Sequence, residues 1–200
     1  SQVSQDLRGL AVGAAAWTLV LEPTGKVDAL ARITRHGEDD FEFDIEAGFG
    51  ELLAARLRRF KIRVDADIEL LEAEVSDGPS AADEDARIAA GWPRMGHEII
   101  AGETIPTATG VVAVAVNFTK GCYPGQELVE RMDSRGAAAP STLRILEIGA
   151  DVPPGVAADD PVLDASGAEI GVVTSVGTTG VLAAIKRGHD VGRPPAHSAT

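Results

Sequence analysis

A single cysteine, Cys122, excludes an internal disulfide, and nothing in the sequence points to an oxidising compartment. The fold must be held by its own core, and 200 residues with 44% hydrophobic content suffice for one large domain or two small ones. Long apolar runs are absent too. The stretch from Gly110 to Val116 is among the longest, well short of the roughly 18 residues that a membrane span needs. No charged-then-apolar leader opens the chain at Ser1, so the expectation is a protein neither inserted nor exported, with a cytoplasmic location. Ser1-Gln2-Val3-Ser4-Gln5-Asp6 reads as mid-chain sequence, and an upstream segment is expected. Positive charge is scarce: 18 Lys and Arg against 31 Asp and Glu leave a net charge of -13. Such a chain repels a phosphate backbone, which argues against nucleic acid as a partner.

Against that acidic background Arg56, Arg58, Arg59, Lys61 and Arg63 form a local basic run. It reads as a solvated helix edge or, alternatively, as a dock for an anionic ligand tail or an acidic partner.

Hydrophobic periodicity predicts an α+β fold. Residues 17–21, 27–33 and 41–45 read as strands forming a sheet with one packed face, the last because Phe41, Phe43 and Ile45 alternate with charged residues. The period then changes, with Phe49, Leu52, Leu53, Leu57 and Phe60 on one side of a helix. Alternation returns over Ile62, Val64, Ala66, Ile68 and Leu70 and predicts a further strand. The small, acidic stretch Ser76 to Asp85 reads as a loop, followed by a short helix near Arg87 to Ala90 that Gly91 and Pro93 end. Val111 to Phe118 is extended by composition, and Pro124 suits the first turn of a helix whose apolar face is Leu128, Val129 and Met132. Short strands at 143–148, 161–163, 170–176 and 181–185 predict a small β-barrel. The residues from Gly188 onward lack periodicity and should fray.

The candidate site is Lys120-Gly121-Cys122-Tyr123-Pro124-Gly125-Gln126-Glu127, placed between a predicted strand and a predicted helix. A cysteine just ahead of a helix N-terminus, with Lys120 two residues away, is favoured as the thiolate. Gly121 and Gly125 permit close backbone approach. Each residue also has a plainer use: Cys122 as a small buried hydrophobe, Tyr123 in the core, and Gln126 as a cap reaching back to its own turn. No metal site is expected, because one cysteine cannot supply four thiolates and His36, His97, His189 and His197 lack ligand-like spacing. At most Cys122 shares a cluster with a partner.

This eight-residue stretch resembles the hallmark of the YgfZ-type folate-binding proteins, relatives of the glycine-cleavage T-protein. Gly25-Lys26-Val27, Arg59 to Arg63, Arg87 to Pro93, Thr104-Ile105-Pro106, Arg131-Met132 and Gly171 to Ser175 stand in the order of that family, so the likeness runs to about residue 188. It implies a tetrahydrofolate-binding body over residues 1–138, a C-terminal β-barrel over 139–188 and a flexible tail over 189–200. It also implies an accessory role in the assembly or repair of iron–sulfur proteins, which would be the partners. By this likeness Lys120 and Cys122 carry the activity, Tyr123, Gly125, Gln126 and Glu127 shape the folate loop, and Arg131 faces the site from the same helix.

Two departures stand out. A typical member has a longer N-terminal start, and a sizeable segment where residues 76–86 form only a short acidic interval. A compact member and a chain lacking natural residues are both open. Aminomethyltransferase chemistry of the T-protein type is disfavoured, because Lys26 replaces the second glycine of a Gly-Gly pair and Ala29 stands where an aspartate is needed, with Asp28 one position out of register. A classical turnover enzyme is therefore not the expectation, and a non-catalytic scaffold is the third alternative.

Overall fold

The computed structural model describes residues 2–61, 64–71, 80–134 and 139–197. Three strands, β1 (Ala15–Leu21), β2 (Val27–Arg35) and β3 (Phe41–Ile45), form an antiparallel sheet in the order β1-β2-β3. The outer strand β3 keeps the predicted alternation, with Glu42 and Asp44 exposed. The expectation of a single packed face does not hold for β1 and β2. Leu19, Leu21 and Leu30 enter one core cluster with Met95, Ile99, Val111, Tyr123 and Val129, while Val20, Ala29, Ala31 and Ile33 enter another with Leu53. The sheet is a middle layer, and strands buried on both sides lose the alternation that a half-exposed strand shows.

Helix α1 (Gly50–Arg59) follows β3 as expected, but its buried face is rotated from the predicted one. Leu53 and Ala54 point inward, Leu52 is exposed, and Arg56 is carried into the interior. The strand expected over Ile62 to Leu70 is not formed in its described part. Residues 64–71 have no sheet partner, and Val64, Leu70 and Leu71 are exposed; Ile62 lies outside the described residues. Alternation alone does not make a strand where no neighbouring edge accepts the backbone bonds.

The loop expected over Ser76 to Asp85 is instead helical from Ala81, in α2 (Ala81–Ala90); residues 76–79 lie outside the described residues. The signal was a capping box: Ser80 Oγ accepts from Asp83 N, and the Asp83 carboxylate accepts from Ser80 N. Gly91 ends the helix with φ of 72°, a left-handed cap that glycine adopts without strain. Val111 to Phe118 is not extended either. Val112–Ala115 form a one-turn helix, α3, that buries Ala115 and leaves Val114 exposed. Helix α4 (Gln126–Ser134) starts after Pro124 rather than on it.

The C-terminal strands are β4 (Ser141–Glu147), β5 (Pro161–Leu163), β6 (Glu169–Val176) and β7 (Gly180–Lys186), close to their predicted limits. They form an open antiparallel sheet in the order β4-β7-β6-β5, not a closed barrel. Closure would require β4 to pair with β5, and β5 is a three-residue edge strand that begins at Pro161, which has no N–H to give. The segment expected to fray is anchored in part. Ile145 and Arg193 exchange both backbone hydrogen bonds at 2.9 Å, Arg193 Nη2 donates to the Ala89 carbonyl, and His197 packs edge-on to Trp92.

Glu98 ties α2 and the loop after it to the C-terminal sheet. Its side chain is 1% exposed and accepts from Arg87 Nη1 at 3.2 Å, Arg94 N at 2.9 Å, Thr174 Oγ1 at 2.7 Å and Ser175 Oγ at 2.6 Å. This carboxylate brings Arg87 and the Thr174-Ser175 pair together. In Glu98→Ala, Arg87 keeps Glu84 and the Trp92 carbonyl and Thr174 keeps the Leu182 carbonyl, but Ser175 Oγ and Arg94 N lose their acceptor, so a loss of about 2 kcal/mol is expected in denaturant unfolding, with a smaller loss for Glu98→Gln. Equal stability of Glu98→Ala and the parent would show that α2 is held to the C-terminal sheet without this carboxylate.

Candidate functional site

The β1–β2 turn and the Lys120–Glu127 loop are built against each other. Gly25 closes the turn with φ of 91°, donating to the Glu22 carbonyl at 2.8 Å. A Cβ on Gly25 would collide with Leu128 of α4. From the opposite side Gly125, with φ of 79°, lies so close to the turn that a Cβ would fall 2.6 Å from the Glu22 carbonyl oxygen and 2.8 Å from Gly25 Cα. Two glycines thus let the backbones touch, which larger residues forbid.

Tyr123 anchors the loop in the core, 7% exposed among Leu21, Leu30 and Val129. Its hydroxyl is buried without a hydrogen-bond partner among the described residues, and burial, with Glu130 adding, pushes its pKa up to about 12. Lys120 Nζ lies 5.1 Å from the centroid of the same ring, in cation–π range. It also donates to the Val3 carbonyl, and burial moves its pKa down. The N-terminal segment that supplies this carbonyl is tied along β1. Ser4 Oγ donates to the Ala115 carbonyl at 2.7 Å and accepts from Leu19 N at 2.8 Å, and Asn117 N donates to the Ser4 carbonyl. Arg8 donates to Asp6 at 2.9 Å and to the Lys120 carbonyl at 3.3 Å, and its hydrogen bonds hold the Asp6 carboxyl at about 2.

Cys122 is exposed, as is Gly121 beside it. The placement between strand and helix is corrected on both sides: α3 and a loop precede the stretch, and α4 begins four residues after Cys122, across the Pro124-Gly125 turn. The helix field falls off within a turn, so the helix-terminus argument for Cys122 loses its geometry. Gln126 does not cap the turn with its side chain; it donates to Glu130 one turn on. Glu127 and Arg131 pair with each other at 2.8 Å on the exposed side of α4. The structure therefore brings Lys120 and Tyr123 together and sets Cys122, Glu127 and Arg131 at the surface.

Two clefts are formed among the described residues, neither lined by a residue of the Lys120–Glu127 loop. The larger, about 370 Å³, has an apolar wall of Trp17, Leu30, Trp92 and Met95 and a rim that includes Glu46, Glu84, Arg87 and Arg94. Trp17 and Trp92 sit 4.5 Å apart between ring centroids. Arg94 donates to Glu46 at 2.6 Å, and Arg87 to Glu84 at 2.6 Å, so hydrogen bonding from Arg87 lowers the Glu84 pKa. Trp17, Leu30, Trp92, Met95 and Tyr123 belong to one cluster, so the wall of the cleft and the anchor of the loop share a core. Sequence reasoning did not place this cleft, because its residues come from five separate stretches of chain.

The second cleft, about 280 Å³, lies between the β1–β2 turn and α1. Asp28 is the extra residue of a β-bulge: Val20 faces Ala29, and Leu21 faces Val27. The bulge aims Asp28 at Arg56, whose Nε donates to it at 2.7 Å. Burial raises the Asp28 pKa against the pull of that guanidinium. Among the described residues, no group of three or more His, Cys, Asp or Glu side chains is placed to hold a metal ion, and no helix is long and apolar enough to cross a membrane.

No family model matches the chain. It is 27% identical over 173 residues to an uncharacterized protein of Haemophilus influenzae, an alignment that covers 68% of this chain and 61% of that protein. The chain thus spans less than two thirds of that relative's length. The crystal structure of glycine cleavage system aminomethyltransferase T from Bartonella henselae superposes with a TM-score of 0.73, over 92% of this chain and 71% of that one, at 14% identity. The fold is T-protein-like.

The glycine contact makes a paired prediction. Gly125→Ala meets both a left-handed φ and a backbone atom, and is expected to lower stability by about 2 to 4 kcal/mol and to disorder the loop. Gly121→Ala has φ of 93° but nothing within 4 Å of its Cβ, so only about 1 to 2 kcal/mol of backbone strain is expected. Thermal unfolding of the two variants checks the order; equal losses would remove the close approach as the reason for Gly125.

Proposed function

We propose that this chain is a tetrahydrofolate-binding accessory protein that supports the assembly or repair of iron–sulfur proteins through the Lys120–Glu127 loop. The observation that carries the reading is an aromatic cleft whose wall shares a core cluster with that loop's anchor, in a chain of T-protein-like fold. Its residues fit a reduced pterin. Trp17 and Trp92 offer flat apolar surface, and the Glu46 and Glu84 carboxylates have lone pairs left to accept from the amino edge of the ring. Tetrahydrofolate would supply one-carbon chemistry when bound. The chain's own residues bind the ring, keep water from its apolar face, and hold Tyr123 and Lys120 behind the loop. Cys122 is the exposed group by which the loop meets a client protein. In this reading residues 1–138 form the folate-binding body, and 139–188 a separate C-terminal unit.

Aminomethyl transfer is the weaker reading. It requires a carboxylate presented to substrate near Gly25, and Asp28, which stands there, is turned onto Arg56.

Titration with tetrahydrofolate should change the fluorescence of Trp17 and Trp92 saturably, with calorimetry confirming the heat, and Trp92→Leu should weaken binding about tenfold or more. Cys122→Ala should bind folate like the parent and keep the fold, yet fail to support iron–sulfur enzymes in cells. No calorimetric binding removes the folate reading, and full rescue by Cys122→Ala removes that residue's role.

A further inference from the structure

We propose that the cleft between the β1–β2 turn and α1 is an anion-binding site, in which Arg56 and Arg59 clamp a carboxylate or phosphate group. The inference does not depend on the folate reading. The basic run of α1 divides into separate fates. Arg58 is exposed and donates to the Ile68 carbonyl at 3.0 Å, and Lys61 is exposed. Arg56 is 8% exposed, and two of its nitrogens are committed, Nε to Asp28 and Nη2 to the Leu21 carbonyl. Its Nη1 is buried with no hydrogen-bond partner among the described residues. A desolvated, charged donor left unmet is costly, and it invites an acceptor.

The surroundings suit one. Arg59 also lines the cleft, and among the described residues it makes no hydrogen bond or ion pair. The ring of Phe60 lies over the Arg56 guanidinium at 3.7 Å, with Arg59 at 5.6 Å from the same ring. Phe60 thus covers the face of the Arg56 group and leaves one in-plane donor, Nη1, for an oxygen ligand, which a shift of the ring would admit. Leu52, Ala55 and Pro23 provide an apolar wall, so a small organic anion with an aliphatic body fits as well as an inorganic one. Glu22 and Asp28 carry the opposing charges in the lining; Asp28 and Arg56 offset each other, and Arg59 faces Glu22 alone. Complementing the negative end of α1 would require surface arginines alone. It does not account for a guanidinium carried inside with one nitrogen unmet.

The test titrates the full chain with inorganic phosphate and, separately, with glutarate, each against chloride at matched ionic strength, following thermal stability and calorimetric heat. Saturable binding of either anion, weakened about tenfold or more in Arg59→Gln, is expected. Binding by both anions identifies a general oxyanion site; binding by one alone identifies its source as phosphate or carboxylate. Arg59→Gln keeps the buried Asp28–Arg56 pair, and circular dichroism establishes its fold. Should that variant unfold, Phe60→Leu in its place must change the affinity. No saturable binding to the parent, or affinity unchanged in the folded variant, overturns the proposal.

Discussion

The loop that carries Cys122 is placed by a contact between two glycines. Gly25 and Gly125 approach until neither could carry a side chain, and both adopt the left-handed backbone that glycine tolerates. That approach sets Leu128 of α4 against the turn and lets Tyr123, two residues before Gly125, reach the core. With the tyrosine ring fixed, Lys120 is drawn over it and onto the Val3 carbonyl. Cys122, between these two anchored residues, is left at the surface. An exposed thiol on a loop pinned at both ends suits encounter with another protein better than chemistry inside a cavity.

The same turn governs the second cleft. Its bulge at Asp28 rotates that carboxylate toward α1, where Arg56 meets it. Asp28 is therefore used to hold a helix, and the guanidinium recruited for the purpose has, among the described residues, a donor to spare.

Much of this was legible in the sequence, and the failures have physical causes. The β1 to β3 strands, α1 and the four C-terminal strands were readable because each shows its period over several residues. Sheet closure was not, since it depends on which edges pair, and a three-residue strand beginning with Pro161 carries no mark of its partner. The end of helix α2 was readable at Arg87 to Ala90 before Gly91, while its first half was hidden by composition, although Ser80 and Asp83 spelled its cap. Alternation over Val64 to Leu70 and apolar content over Val111 to Phe118 suggested strands where no edge was offered. The eight-residue loop was legible as a unit, with Gly125 and Tyr123 acting in structural roles open to both. What the sequence could not reveal was convergence: Trp17 with Trp92, Glu98 with Thr174 and Ser175, Asp28 with Arg56.

The central claim is that a reduced folate lies on the Trp17–Trp92 wall while the cysteine loop stays outside, held by its glycine contact. A crystal structure of the chain with tetrahydrofolate tests it most directly. The account predicts the pterin against Trp17 and Trp92, its amino edge on Glu46 or Glu84, and Cys122 still exposed. A pterin bound elsewhere, with the two tryptophans still closed on each other, would contradict it.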